Sequence, residues 1–334
     1  MHPRRPRWAP IIGAVLIVAT LALAFHSWPT IKASALLMKQ VRPGWLLLAV
    51  LAVAAGFFSA GQIYGRVLGL LGHRAPQLWL IAAATVSALL SQSIPAGTVA
   101  SYAFLTASLR RRGVPAASVA LLASLELLTW LGGMLALFGF GIVYRLLLLH
   151  DRGAAQAGYP AAAVALVAVG GFTFAATRPR PTLHRWAALI ARVAGRLLRR
   201  SWPPARVGQI VDELDRNRGL IAARPRQALS LLGLQLIVFA WHSLALLLLL
   251  RALGVGAPPL GVLAAYGLAL VVSTFTALPG GGGTVEAALT LALVAEGVPA
   301  EAALGATILF RLLSFWLLLP LGAIGYRALT AGES

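Results

Sequence analysis

Four glycines, Gly280, Gly281, Gly282 and Gly283, stand directly before Thr284 and Glu286 in an otherwise apolar part of the chain. The spacing predicts a helix break that opens straight into a short helix. Free N–H groups and a positive dipole end make such a helix start a place to hold an anion. Glycine permits the turn and removes side chains that would keep a headgroup away. A nucleotide-type phosphate loop is excluded, because no lysine follows the glycines. A carboxylate in a first helical turn gains well under about 2 kcal/mol from the dipole. Inside an apolar span an ionisable group costs about 3 kcal/mol or more, so it marks a pathway or a pair. Arg311, in ATILFRLLSFWLLLP, follows on the next apolar segment and is the expected partner of Glu286. Glu126, in LLASLELLTW, is a third charge inside an apolar run and a candidate to join them. Gln62, Gln235 and His242 also fall in apolar runs, where interhelical hydrogen bonding is the simpler role.

The elements that must position these residues are apolar and long. The 334-residue chain is 59% hydrophobic and 11% charged, and its mean hydropathy is +0.84. A soluble domain carries about 25% charged residues. Apolar segments run over approximately 9–28, 44–65, 77–94, 115–149, 159–177, 227–250, 258–278 and 300–327. Two shorter pieces, 98–110 and 284–296, follow breaks at Pro95 and Pro279. The expected fold is all-α: a polytopic membrane protein of about eight transmembrane helices plus two short broken or re-entrant helices. With no cysteine, disulfides and thiol catalysis are excluded. The six histidines lack ligand spacing, so neither a metal nor another cofactor is expected.

The net charge of +19 is placed in loops and flanks. That pattern fits topology and anionic headgroups, and nucleic acid is not expected as a partner. The opening MHPRRPRW and its apolar run read as an uncleaved first span rather than a signal peptide. Arginines at 4–7, 66–74, 110–112, 178–226 and 327 can all be cytoplasmic, leaving Glu296 and Glu301 outside. Lys32, Lys39 and Arg42 depart mildly from that rule. The expected location is the inner (plasma) membrane, with the N-terminus and 178–226 cytoplasmic. Within that basic stretch, 183–200 places Trp186, Leu189, Ile190, Val193 and Leu197 on one helical face, as in a surface helix that prefers anionic lipid. A solvated linker helix is the plainer alternative.

Sliding the sequence by 184 positions lays IPAGTVASYAFLTASLRRRGVPA over LPGGGGTVEAALTLALVAEGVPA. Pro95 meets Pro279, Gly97 meets Gly281, and Gly113–Pro115 meets Gly297–Pro299. Of 37 aligned positions, 12 are identical, where composition alone gives about four. Upstream, RVLG at 66–69 aligns with RALG at 251–254 after a one-residue shift. The organisation read from this is an N-terminal span and loop (1–43), a first repeat unit (44–150), a connecting span (151–177), the basic segment (178–226) and a second repeat unit (227–334). The charge pattern makes the units opposite in sense. Inverted repeats with helices broken at matching places are the pattern of secondary transporters, whose substrate site lies at the repeat interface near mid-membrane. Close packing through small residues is the alternative.

The run LPGGGGTVEAAL…EGVPAEAALGATILFRLLSFWLLLPLGAIGY resembles the lysylphosphatidylglycerol synthase transmembrane-domain family of flippase-like proteins. The matching pattern is Pro279, Gly280, Gly281 and Gly283, then Glu286, the corner Gly297–Pro299, and Arg311. The resemblance implies movement of lipids between leaflets without the family's soluble synthase domain. Two departures stand out. Val285 occupies a place where many members carry arginine, and the first repeat has Ala100 and Tyr102 where many carry charged residues. The expected function is therefore a lipid flippase or facilitator, not an enzyme. It would take a polar or anionic lipid (phospholipid, aminoacyl-phospholipid, hopanoid or polyprenyl-linked) at Pro95, Gly97, Glu126, Gly280, Gly281, Gly282, Gly283, Thr284, Glu286 and Arg311. Its partners would be membrane lipids, with lipid-synthesis enzymes as possible associates. An integral membrane enzyme acting on a lipid-linked phosphate or sugar, and a scaffold for lipid-synthesis enzymes, are the competing readings.

Overall fold

The computed structural model describes residues 36–93, 97–145, 225–275 and 283–320, together with positions 32, 33, 181, 185, 212 and 322. The expected spans 9–28 and 159–177, most of the basic segment, and Pro95, Gly280, Gly281 and Gly282 lie outside the described residues. Within them the elements are helical throughout: α1 (Pro43–Leu70), α2 (Gln77–Ser93), α3 (Gly97–Arg110), α4 (Ala116–Tyr144), α5 (Pro225–Ala252), α6 (Pro259–Phe275), α7 (Thr284–Ala295) and α8 (Ala300–Arg311). A π-helical stretch, Leu312–Trp316, continues α8. Four helical runs are long and apolar enough to cross a membrane: Pro43–Leu70, Ser118–Tyr144, Arg226–Ala252 and Ala300–Pro320.

The boundaries follow from local chemistry. Proline occupies the first position of α1, α5 and α6, where no N–H is needed. Four corners end on glycine in the left-handed region: Gly72, Gly113, Gly254 and Gly297, with φ of 78°, 75°, 79° and 84°. At each, the next residue's N–H reaches back to a carbonyl of the last turn: His73 to Leu68 at 2.9 Å, Val114 to Leu109 at 3.1 Å, Val255 to Leu250 at 3.0 Å and Val298 to Leu293 at 3.2 Å. This is the Schellman closure, which only glycine adopts without a Cβ penalty. The corners also correct the upstream alignment. Gly254 corresponds to Gly72, not Gly69, so α1 and α2 match α5 and α6 at an offset of 182.

Packing fixes the directions. Arg42 N–H donates to Ala252 O at 2.9 Å, and Gly56 forms a notch for His242, whose ring would lie 2.9 Å from an added Cβ. α1 and α5 are therefore antiparallel. α2 and α3 form a hairpin: Arg112 lies over the Trp79 ring at 4.8 Å at the open end, and Ser87 meets Ser101 further in. α6 and α7 form a second hairpin, with Glu296 against Gly261 at its open end. Because α1 and α5 run oppositely and each leads directly into its hairpin, the two hairpins enter from opposite ends. α4 crosses α6 where Gly141 faces Ala264 and Gly267 faces Leu137.

The outer surface is apolar as well. Leu78 is 82% exposed, Leu291 69% and Leu229 67%, which suits hydrocarbon rather than water. The interior is held by close approach. A Cβ on Gly61 would lie 3.0 Å from both Cα and N of Ile81, backbone atoms that cannot rotate away. Gly61→Ala is expected to push α1 off α2 and cost about 1–3 kcal/mol. Unfolding of the purified variant in detergent measures it, and an unchanged midpoint would refute this account of the contact.

Candidate functional site

The site forms where the start of α7, the end of α8 and the last turn of α2 meet. Gly283, with φ of 85° at the N-cap of α7, turns the chain into that helix. Thr284 opens the helix, and Glu286 lies in its first turn. Arg311 ends the regular part of α8, immediately before the π-helical stretch. Its Nε donates to Glu286 Oε1 at 2.7 Å. The arginine side chain is 8% exposed and the glutamate 23%. Its guanidinium also lies 4.6 Å over the Phe315 ring, a contact strengthened by desolvation. Arg311 Nη1 donates to Gln92 Oε1, on the last turn of α2, at 3.3 Å. Gln92 thus ties the end of α2 to the ion pair that α7 and α8 make.

The expected pair of Glu286 with Arg311 is therefore formed. A buried guanidinium and carboxylate each cost several kcal/mol to desolvate, and only close, hydrogen-bonded geometry offsets that. The pair is electrically neutral but not saturated. Glu286 Oε2 is buried and makes no hydrogen bond among the described residues. Thr290, one turn after Glu286, and Thr307, one turn before Arg311, likewise have buried, unpartnered hydroxyls. The ion pair thus keeps one unused acceptor, Glu286 Oε2.

Other expectations come out differently. Glu126 does not join the pair: its Oε2 accepts from the Tyr64 hydroxyl at 2.7 Å. The residue beside Arg311, Phe310, packs edge-on to His242 and Tyr266 at 6.1 and 5.9 Å. His242 makes no interhelical hydrogen bond among the described residues, for its Nδ1 meets Val238 O of its own helix at 2.8 Å. Gly97 begins α3, at the tip of the first hairpin. Gln92 was not singled out in the sequence. An amide three residues before a proline break inside an apolar run is the signal that could have found it.

A second ion pair closes one end of the bundle. Arg145, capping α4, pairs with Glu296, capping α7. Burial pushes the Glu296 carboxyl above its ordinary value, and Arg145 pulls it back. A raised carboxyl favours the protonated form in the fold. Its contribution is therefore largest below the unfolded value and is lost as pH rises through the folded one. Glu296→Gln is expected to flatten the pH dependence of thermal stability just above the ordinary carboxylate range. An unaltered slope in the variant would refute the assignment.

Long apolar helices, an apolar exterior and a buried ion pair between α7 and α8 define a multi-pass membrane protein. Residues 11–322 match the family model described as lysylphosphatidylglycerol synthase TM region, and the chain belongs to that family. A UPF0104 membrane protein of Methanothermobacter thermautotrophicus is 35% identical over 100 residues. That similarity spans 30% of this chain and 30% of the relative.

Proposed function

We infer that the protein moves a polar or anionic lipid between the leaflets of the membrane, without chemically altering it. The observation that carries this reading is the meeting of Arg311 of α8 with Glu286 at the start of α7 and Gln92 at the end of α2. Polar groups at membrane depth are tolerated where they serve a pathway. The two units are read as an inverted-topology repeat, with about eight crossing spans and the short helices α3 and α7 as the broken or re-entrant elements. Matching helix lengths support it: 28 residues in both α1 and α5, and 17 in both α2 and α6. In such folds the substrate site lies at the repeat interface. The headgroup meets Arg311 and the N–H groups at the start of α7, beside the glycines that precede it. A donor on the headgroup satisfies Glu286 Oε2, and the tails remain in the bilayer. Glu296 and Glu301 face outward in the inner membrane, and the N-terminus and 178–226 face the cytoplasm.

Reconstitution into vesicles carrying labelled lipid in one leaflet tests this reading. The expected result is protein-dependent leaflet exchange with no covalent change to the lipid. A modified lipid, or exchange no faster than in empty vesicles across phospholipid, aminoacyl-phospholipid, hopanoid and polyprenyl-linked probes, would overturn it.

A further inference from the structure

Glu126 differs from Glu286 in what neutralises it. Among the described residues no lysine, arginine or histidine forms an ion pair with Glu126, and its hydrogen-bond partner is a neutral phenol. Tyr64 is 2% exposed and Ser87 is 1% exposed. Ser87 lies close enough to Tyr64 to act on its hydroxyl, and Ser87 meets Ser101. Glu126, Tyr64, Ser87 and Ser101 belong to α4, α1, α2 and α3 in turn. A file of hydroxyls, Ser101, Ser87 and Tyr64, leading to the Glu126 carboxyl thus draws on all four helices of the first unit. It ends at the half-buried Ser101, one turn into α3 and beside Tyr102, which is 38% exposed.

The second unit supplies an internal comparison. At the matching offsets, Glu126 becomes Phe310, Tyr64 becomes Leu246, Ser87 becomes Ala269 and Ser101 becomes Val285. Phe310, Leu246 and Ala269 are buried, so the same places fill well with apolar side chains. Packing alone does not call for a carboxyl, a phenol and two hydroxyls in the first unit. The reverse also holds: Glu286 and Arg311 match Tyr102 and Leu127. Each unit carries one polar device, and the two differ.

We propose that Glu126 is a proton-binding site, reached through Ser101, Ser87 and Tyr64, and that its proton is exchanged during transport. A carboxylate at this depth without a cation is costly, and a proton relieves that cost. In one transfer Ser101 passes its hydroxyl proton to Ser87, Ser87 to Tyr64, and Tyr64 to Glu126. Each oxygen loses one O–H bond and regains one from the preceding donor, and water replaces the proton at Ser101. One proton is gained by Glu126 and one is lost by water. The other ionisable groups on the helices against α4 are accounted for. α1 also carries the exposed Arg66 near its end, and α3 carries Tyr102 and the terminal Arg110. On α5 and α6, His242 and Tyr266 stack on each other at 6.2 Å, and Arg226 and Arg251 lie at the ends of α5. Arg311 of α8 is held by Glu286.

Infrared difference spectroscopy of the purified full-length protein tests the binding site without any transport assay. The expected result is a protonated-carboxyl band at neutral pH that is lost in Glu126→Gln and kept in Glu286→Gln. Tyr64→Phe should keep the band and slow its exchange with deuterium, which a purely structural tyrosine would not do. The absence of the band from the native protein, or its survival in Glu126→Gln, would overturn the site. An unslowed exchange in Tyr64→Phe would overturn the relay, and this holds even if Glu126→Gln fails to fold. Coupling rests on the lipid-movement reading and has its own arm. An imposed pH gradient should change leaflet exchange by the native protein and not by Glu126→Gln. Exchange that ignores the gradient in the native protein would overturn the coupling. Exchange absent under every condition would overturn the lipid-movement reading and leave the carboxyl band to decide the site.

Discussion

Arg311→Ala is expected to abolish leaflet exchange and to lower stability by about 3–5 kcal/mol, because it strands a partly buried carboxylate. The guanidinium holds Glu286 through Nε, holds Gln92 through Nη1 and covers Phe315. Alanine removes all three contacts and leaves a void where α8 passes from α-helix to π-helix. On the proposed reading, exchange is lost with the cation that would meet the headgroup. Arg311→Lys keeps the charge but not the planar fork, and should fall between the two. Exchange in vesicles and unfolding in detergent measure these effects. An Arg311→Ala protein that exchanges lipid at the native rate would remove Arg311 from the pathway.

Glu286→Gln is expected to cut exchange about tenfold or more, equivalent to about 1.4 kcal/mol on the barrier, while the fold persists. Glutamine keeps the shape and an oxygen able to accept from Arg311 Nε. It loses the charge and turns the buried, unpartnered Oε2 into a donor. Arg311 then carries uncompensated positive charge, which holds an anionic headgroup too well to release it. Binding of an anionic lipid should tighten as exchange falls. This opposed movement distinguishes a transport role from a merely structural one, which would leave both unchanged. Full exchange in Glu286→Gln would mean that the carboxylate serves only the start of α7.

Much of the site could be read in one dimension. The glycine run, the prolines and the two Gly-Val-Pro corners are local conformational instructions, and helices begin and end at them to within a residue or two. Gly113 and Gly297 adopt positive φ as their corners require. The pairing of Glu286 with Arg311 was also legible. Only one corner and 25 residues separate them, and an apolar setting leaves an acid and a base few other partners.

What the sequence by itself determined is the all-helical membrane class, the short hairpin helices, the repeated corners and the Glu286–Arg311 pair. These depend on backbone preference and on the cost of placing charge in hydrocarbon, both of which act locally. Tertiary structure alone decided the longer-range partners. Tyr64 for Glu126, Gln92 for Arg311 and Arg145 for Glu296 lie 62, 219 and 151 residues apart. Sequence marks each group as needing a partner but cannot rank candidates at such distances. The choice is made by which helices touch and at what height, and that is set by glycine notches such as Gly56 against His242 and Gly61 against Ile81. A shift of one residue in either crossing would rotate those side chains out of reach, so the partners follow from the packing.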